Sequence, residues 1–221
     1  MMAISATLHP AVASVPASGP VQEMTALYGA VNSWTVTFPQ KATAGNILLI
    51  NIHSLVAVNT PAGWTLAAAG STTGAGMFVF KRTSDGTETS VAMSTTGATT
   101  GRISAAMQEW HGTIAGTTTT DLASPAGGTI SSGPSNAPPS ATAISVMFTN
   151  VGYQNVGAMT YDSPWSGTPE TVTPDGVSYL ATVAWRPAPN AAVTLTGTRK
   201  TPTNTNVSGW VRWLNVWIEP A

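Results

Sequence analysis

The chain has 221 residues, of which 43% are hydrophobic and only 8% are charged, and its formal net charge is −1. Globular domains usually carry about 25% charged residues. The composition therefore excludes the basic footprint of a nucleic-acid-binding protein. No stretch approaches the ~20 consecutive apolar residues that a membrane-inserted helix needs. Cysteine is absent, which excludes disulfides and thiolate metal sites.

The first 32 residues contain no alternating run of strand length. Pro10, Pro16 and Pro20 each remove a backbone donor and favour extended chain. We predict that residues 1–32 form an extended N-terminal arm outside the folded body, buried against a neighbouring subunit. The arm residues expected to make this assembly contact are Met1, Met2, Ile4, Leu8 and Val12. The alternative is a first strand that pairs with the protein's own sheet.

Beyond the arm, alternating segments rich in β-branched and aromatic residues recur between turn residues. The predicted strands are Ser33–Phe38, Ile47–Val56, Trp64–Ala69, Met77–Thr83, Ser90–Thr95, Ile103–His111, Ala143–Asn150, Val177–Arg186, Ala192–Thr198 and Trp210–Glu219. No segment shows a convincing helical period. Many short strands with regular turn signals are typical of an all-β sandwich or barrel.

The second half of the chain repeats the order of features found in the first half. ILLINIHS, PAGWT, FVFKRTSDGTETSVAM and GRISAAMQEWHG are answered by AISVMFTN, SPWSGT, TVAWRPAPNAAVTLTG and GWVRWLNVWIEP. A half of this size would expose one apolar sheet face, which a second half can cover. We predict a sandwich (33–221) of two pseudo-repeated halves, 33–112 and 141–221. A Thr/Gly/Ser/Pro-rich crossover, 113–140, joins them.

These segments resemble a known module. PAGWT after an apolar strand, an aromatic strand ending FKRTSDG, and the closing strand AAMQEWHG resemble the jelly-roll, concanavalin-like β-sandwich modules of tailed-bacteriophage virion proteins. The similarity is greatest to minor tail proteins of actinobacterial phages. It covers about residues 33–221 and implies a jelly-roll fold and a structural role, but no catalytic motif.

Few titratable residues are spaced for chemistry. His53 and His111 are interpreted as ordinary half-buried histidines, because no spacing brings three metal ligands together. Glu109 lies within an apolar strand, and the favoured interpretation is a partner for Arg102 or Arg212. We therefore expect no catalytic residues, no metal, no cofactor and no enzymatic activity.

The eight tryptophans offer the best candidate contacts with a ligand. Trp213 and Trp217 share a strand face and with Trp185 form either a core layer or a stacking platform. Tyr161, Asp162 and Trp165 lie in a turn-rich loop suited to stacking on a sugar ring. The favoured reading makes Trp64 and Trp165 structural tryptophans of the fold.

The sequence thus favours a non-enzymatic structural protein of a tailed-phage virion, assembled in the host cytoplasm, in the tail or tail tip. Its partners would be other virion proteins and copies of itself, with no nucleic acid and no membrane insertion. One alternative is a capsid decoration protein. Another is a carbohydrate-binding module that contacts host cell-wall glycan through Tyr161, Asp162 and Trp165.

Overall fold

The computed structural model describes residues 19–72, 75–98, 101, 103–124, 129–131, 139–140, 142–153, 159–161, 166, 178–187, 196–199 and 209–221. Within these ranges all regular elements are β-strands, and all their pairings are antiparallel. The strands are β1 Gln22–Tyr28, β2 Ser33–Thr37, β3 Ile47–Ser54, β4 Thr65–Thr72, β5 Ala75–Thr83, β6 Ser90–Ser94, β7 Ile103–Trp110, β8 Thr113–Ser124, β9 Thr129–Ser131, β10 Ile144–Tyr153, β11 Met159–Tyr161, β12 Ser178–Pro187, β13 Thr196–Arg199 and β14 Gly209–Glu219. The all-β prediction is confirmed. In the part of the chain described, no helix has the length and apolarity to cross a membrane.

The described strands form four sheets. The first large sheet has the order β1-β7-β3-β5-β4, and the second has the order β12-β10-β14-β8. Two smaller sheets, β2-β6 and β11-β13-β9, complete the described structure. All ten strands predicted from alternation are present, with boundaries shifted by a few residues, because half-buried strands impose a period of two on their side chains.

The two large sheets pack face to face. One core cluster contains Leu49 and Val79 of the first sheet together with Val146, Phe148 and Val216 of the second. Each of these side chains is essentially inaccessible to solvent. We call this cluster the shared layer. Burying each apolar side chain stabilises the folded state by roughly 1.5–3 kcal/mol. Packing in the shared layer is therefore the main interaction between the two sheets.

The opposite face of the first large sheet is covered by β2 and β6. Val36 and Val91 of the small sheet pack on Ile50, Phe80 and Met107 of the large one. The residues of β2 are alternately exposed and buried, and the buried ones, Trp34 and Val36, are those that face the large sheet. The first half of the chain is thus a sandwich in its own right, with two layers rather than one.

Two segments differ from their predicted roles. Gln22–Tyr28, which the sequence analysis assigns to the arm, is strand β1 and pairs along its whole length with β7. The alternative of a first strand within the protein's own sheet is therefore observed for this segment. The predicted crossover, 113–140, contains β8 and β9. Both segments lack clear alternation, and their partners hold them extended. The arm residues Met1, Met2, Ile4, Leu8 and Val12 lie outside the described residues.

Candidate functional site

Glu109, the one carboxylate predicted within an apolar strand, is fully buried on the face of the first large sheet opposite the shared layer. Its carboxylate accepts hydrogen bonds from the side-chain amides of Gln22 and Asn46. It also accepts one from the backbone N–H of Thr43, at 2.9 Å. Partnership with Arg102 or Arg212 stays a prediction, because Arg102 and the side chain of Arg212 lie outside the described residues.

The position of β1 explains the contact with Gln22. Gln22 is the residue paired with Glu109 across the β1–β7 ladder, so a strand predicted to belong to the arm brings a neutral donor to the carboxylate. Three neutral donors on its two oxygens offset the cost of burying the carboxylate. Glu109 thereby ties β1 and the 43–46 turn to the sheet.

The two histidines predicted to be unremarkable lie far apart. His53 is paired with Ser104 on the neighbouring strand β7, whereas His111 follows the far end of that strand. At about 3.3 Å per residue, seven residues separate these positions by roughly 23 Å. His53 is fully buried and His111 is exposed. Burial lowers the pKa of His53 to about 3, since a charged imidazole is poorly solvated there.

A polar contact also crosses the shared layer. The side-chain amide of Asn51 donates to Oδ1 of Asn150 at 2.6 Å, and Asn150 in turn donates to the carbonyl of Ile52 at 3.1 Å. Nearby, the backbone N–H of Ala181 donates to the hydroxyl of Ser104 at 2.9 Å. These directional bonds fix the position of one large sheet relative to the other.

The tryptophans that are described serve packing. Trp64 belongs to the core of the first sandwich, and Trp217 is 2% exposed. Trp185 is partly buried against the shared layer and meets Trp110 edge to face, with ring centroids 5.7 Å apart. Trp185 is aligned with Val146 on the shared-layer face of the second sheet, whereas Trp217 is aligned with Ser145 on the opposite face. The two side chains therefore do not form the single layer or platform that the sequence predicts. The side chain of Trp213 lies outside the described set.

The role of Tyr161, Asp162 and Trp165 in stacking on a sugar remains a prediction. The backbone of Tyr161 ends strand β11, paired with Gly197 of β13, and nothing is described of its side chain. Asp162 and Trp165 lie outside the described residues. The described residues hold no group of three or more His, Cys, Asp or Glu side chains placed to bind a metal ion.

One cavity was not foreseen from the sequence. It has a volume of about 400 Å³ and opens where β3, β4 and β5 of the first large sheet meet the start of β8 in the second. Lys81, Thr65, Thr83 and Thr113 contribute its polar lining. Residues 113 and 114 reach it because Gly112, with φ +122°, turns the chain closely past the carbonyl of Glu219.

The sequence indicates the cationic residues of this cavity but not its location. The run Phe80–Lys81–Arg82–Thr83 ends an apolar strand with two adjacent cations, but nothing in the sequence places it beside Thr113. Comparison with known protein families, known proteins and solved structures finds no match to this chain.

Proposed function

We propose that the chain is a non-catalytic structural protein of a tailed-bacteriophage virion, in the tail or tail tip, assembled in the host cytoplasm. The supporting sequence features are the PAGWT turn, the strand ending in FKRTSDG and the closing AAMQEWHG. The low charge also supports it, because obligate interfaces between subunits are poor in charged residues.

The observation that carries the non-catalytic part is the environment of Glu109. A general acid or base must reach a substrate proton through a hydrogen bond or one water. Both oxygens of Glu109 are instead occupied by Gln22, Asn46 and Thr43 in a solvent-free position. The most deeply placed carboxylate among the described residues thus serves the framework.

We further propose that the body is a jelly-roll sandwich of two copies of one folding unit. Strand pairing supports this. The ladder that aligns Ile50 with Met107 in the first half has its counterpart in Met147 aligned with Asn215. Ile50 also pairs with Phe80, and Met147 pairs with Ala184. In both comparisons Met147 of β10 corresponds to Ile50 of β3, 97 positions earlier in the chain.

The outer pairings follow the same rule. Thr25 pairs with Ala106, and Thr119 pairs with Leu214; Thr35 pairs with Ala92, and Ser131 pairs with Thr196. Even the isolated bridge of Val58 with Thr95 has its counterpart, in Met159 with Arg199. The sequence repeat fixes two of these displacements independently. Arg82 and Arg186 are 104 positions apart and Gly101 and Gly209 are 108 apart, and with these values both ladders of the central strand give the same displacement of 97.

The two proposed copies also pack through equivalent faces. Ile47 and Leu49 of β3 lie in the shared layer, as do Ile144 and Val146 at the same displacement of 97 positions on β10. Packing one surface against its own equivalent is the geometry of a twofold dimer. A duplicated gene for a unit that once dimerised would give this arrangement, and further self-association in a particle extends the same principle.

Mass spectrometry of purified particles, after heads and tails are separated, tests the virion role. We expect the protein in the tail fraction. Its presence in the head fraction would instead favour a capsid decoration protein, and its absence from both would refute the proposal. Light scattering that finds only a monomer, with no binding to particles, would also contradict it.

Deleting residues 2–18 tests the proposed anchoring by the N-terminal arm. We choose this boundary because Gly19 lies directly against the ring of Trp185 and Val21 donates a backbone hydrogen bond to Glu109. The truncated protein should fold with a nearly unchanged thermal midpoint and fail to enter particles. Normal incorporation would refute the anchor. A matched control, Val31→Ser on an exposed side chain, should incorporate normally.

A further inference from the structure

We propose that the cavity between the two large sheets binds a small carboxylated sugar, with the ammonium of Lys81 as the partner of the carboxylate. This inference goes beyond the virion role and does not depend on it. The site is also separate from the loop that contains Tyr161, Asp162 and Trp165. Its volume of about 400 Å³ falls within the roughly 300–1,000 Å³ typical of small-molecule pockets, which often lie between domains.

The position of Lys81 is the first argument. Lys81 is aligned with Leu49 on one side and Thr65 on the other, and aligned residues of neighbouring strands point to the same face of a sheet. Leu49 lies in the shared layer. Lys81 therefore projects from the first sheet towards the second, at the margin of an apolar layer, and its side chain is partly buried.

No residue that the structure describes forms an ion pair with Lys81. Lys81 takes part in neither of the two ion pairs of the described residues, which both use Arg82. The residues that face it from β8, Thr113 and Ile114, are uncharged. Glu219 is aligned with Thr113, but it does not line the cavity and accepts a hydrogen bond from Thr142. A partly buried ammonium without an anion is costly, and an anionic ligand removes that cost.

Arg82 lines the cavity, but its guanidinium is already paired with carboxylates and is not the group expected to bind an anion. Its guanidinium contacts carboxylate oxygens of Asp85 and Glu88, each at 2.7 Å. It also covers Gly63, where a Cβ would lie 2.9 Å from Nη1. Gly63 has φ +76°, so neither space nor backbone conformation favours a larger residue. The turn and the guanidinium thus shape this side of the cavity.

The remaining lining sets the chemical class of the ligand. Thr65, Thr83 and Thr113 supply hydroxyls that can both donate and accept hydrogen bonds, as sugar hydroxyls require. Ile47 and Ile114 supply an apolar surface for ring C–H groups. One cation, three hydroxyls and two aliphatic side chains fit a uronic acid better than a neutral sugar or a bare inorganic anion.

The test uses the full chain with isotopically labelled isoleucine methyl groups and titration by NMR. Glucuronate should shift the methyl signals of Ile47 and Ile114 in a saturable way. Glucose and inorganic phosphate at equal concentration should leave them unchanged. Lys81→Met keeps the aliphatic stem and should weaken glucuronate binding at least about tenfold, as expected for loss of a charge-assisted contact. Lys41→Met, on an exposed lysine elsewhere, should bind as the parent does.

Four results would overturn the proposal: no shift with glucuronate, equal shifts with glucose, binding of phosphate without glucuronate, or unchanged binding by Lys81→Met. The thermal midpoint of each variant establishes that it is folded. If Lys81→Met does not fold, Thr83→Val is the second variant, and it should weaken binding without changing the preference for the anion. A galacturonate oligomer in place of the monosaccharide distinguishes a free sugar from a residue of an acidic polysaccharide. Binding of either one supports the site.

Discussion

The two large sheets pack on one shared apolar layer. On the faces turned away from that layer, the buried polar groups of the two sheets differ in how well they are hydrogen-bonded. In the first sheet, buried Glu109 is surrounded by donors from Gln22, Asn46 and Thr43. In the second sheet, the side-chain nitrogens of Asn215 and Trp217 are buried without a hydrogen-bond partner. A satisfied network fixes neighbouring segments in place, whereas an unsatisfied buried donor costs about 1–3 kcal/mol.

The comparison teaches that the polar groups behind the two sheets differ, whereas the shared layer and the Asn51–Asn150 hydrogen bond that crosses it join the sheets. Leu48 and Met107 are apolar core residues behind the first sheet. Ser145 and Asn215 lie at matching ladder positions of the second sheet, and the hydroxyl of Ser145 donates to the side chain of Asn215. Sheets with the same strand order thus carry apolar side chains on the outer face in one case and a hydrogen-bonded polar pair in the other. The predictions below test that difference.

The largest effect is expected for Glu109→Ala. The substitution leaves the amides of Gln22 and Asn46 and the N–H of Thr43 without their acceptor, so the free energy of unfolding should fall by about 3 kcal/mol or more. Chemical denaturation measures this loss. Glu219→Gln, at a carboxylate with one long hydrogen bond of 3.3 Å, is the matched control and should change stability little. Equal effects of the two variants would show that the Glu109 network is not special.

The next effect is a dependence of stability on pH through His53. Because burial lowers the pKa of His53 from 6.5 to about 3, the unfolded chain binds a proton in this range and the folded chain does not. Stability should therefore be complete above about pH 6.5 and fall progressively as the pH drops towards 3. Denaturation midpoints measured across this range give the slope. His53→Asn should flatten it, and His111→Asn, at an exposed position, should not.

The unsatisfied donors of the second sheet predict a small gain in stability. Asn215→Leu alone removes the acceptor of the Ser145 hydroxyl and should cost about 1–2 kcal/mol. Ser145→Ala combined with Asn215→Leu removes the whole polar pair, and stability should return to that of the parent or rise by about 1 kcal/mol. A double-mutant cycle isolates the coupling. A double variant that is less stable than Asn215→Leu would show that this polar row is satisfied and structural.

The smallest effect concerns the turn in which Arg82 pairs with exposed Asp85 and buried Glu88. The pKa of Asp85 is lowered, first by hydrogen bonds from Thr87 and then by Arg82. For Glu88, burial raises the pKa, but hydrogen bonds from Ser84 and the backbone and the charge of Arg82 outweigh it, so the net direction is also down. The stabilisation is present above the ordinary pKa values and is lost as the pH falls through the lowered ones. Arg82→Met should reduce this acid-dependent loss only in part, because the hydrogen bonds from Thr87 to Asp85 and from Ser84 to Glu88 remain. Denaturation at pH 7 and pH 3 tests it, and a loss as large as that of Glu109→Ala would contradict the ranking.

The sequence by itself determined the class of the fold and most of its strands. Alternation of apolar and polar residues locates β2, in which every second residue is buried. A continuous apolar run locates β3, because both of its faces are buried. Turn residues such as Gly86, with φ +84°, mark the boundaries because few other residues adopt that conformation. The low content of charged residues, 8%, also follows from composition alone.

Only the tertiary structure decided which segments become edge strands and which side chains meet. Strand β1 is mostly half-buried rather than alternating, so its identity depends on pairing with β7, more than 70 residues away in the chain. Gln22 meets Glu109 for the same reason, and Lys81 faces Thr113 only because the two large sheets pack together. Local periodicity reports the burial of one face, whereas the partner that buries it is chosen by packing over the whole chain.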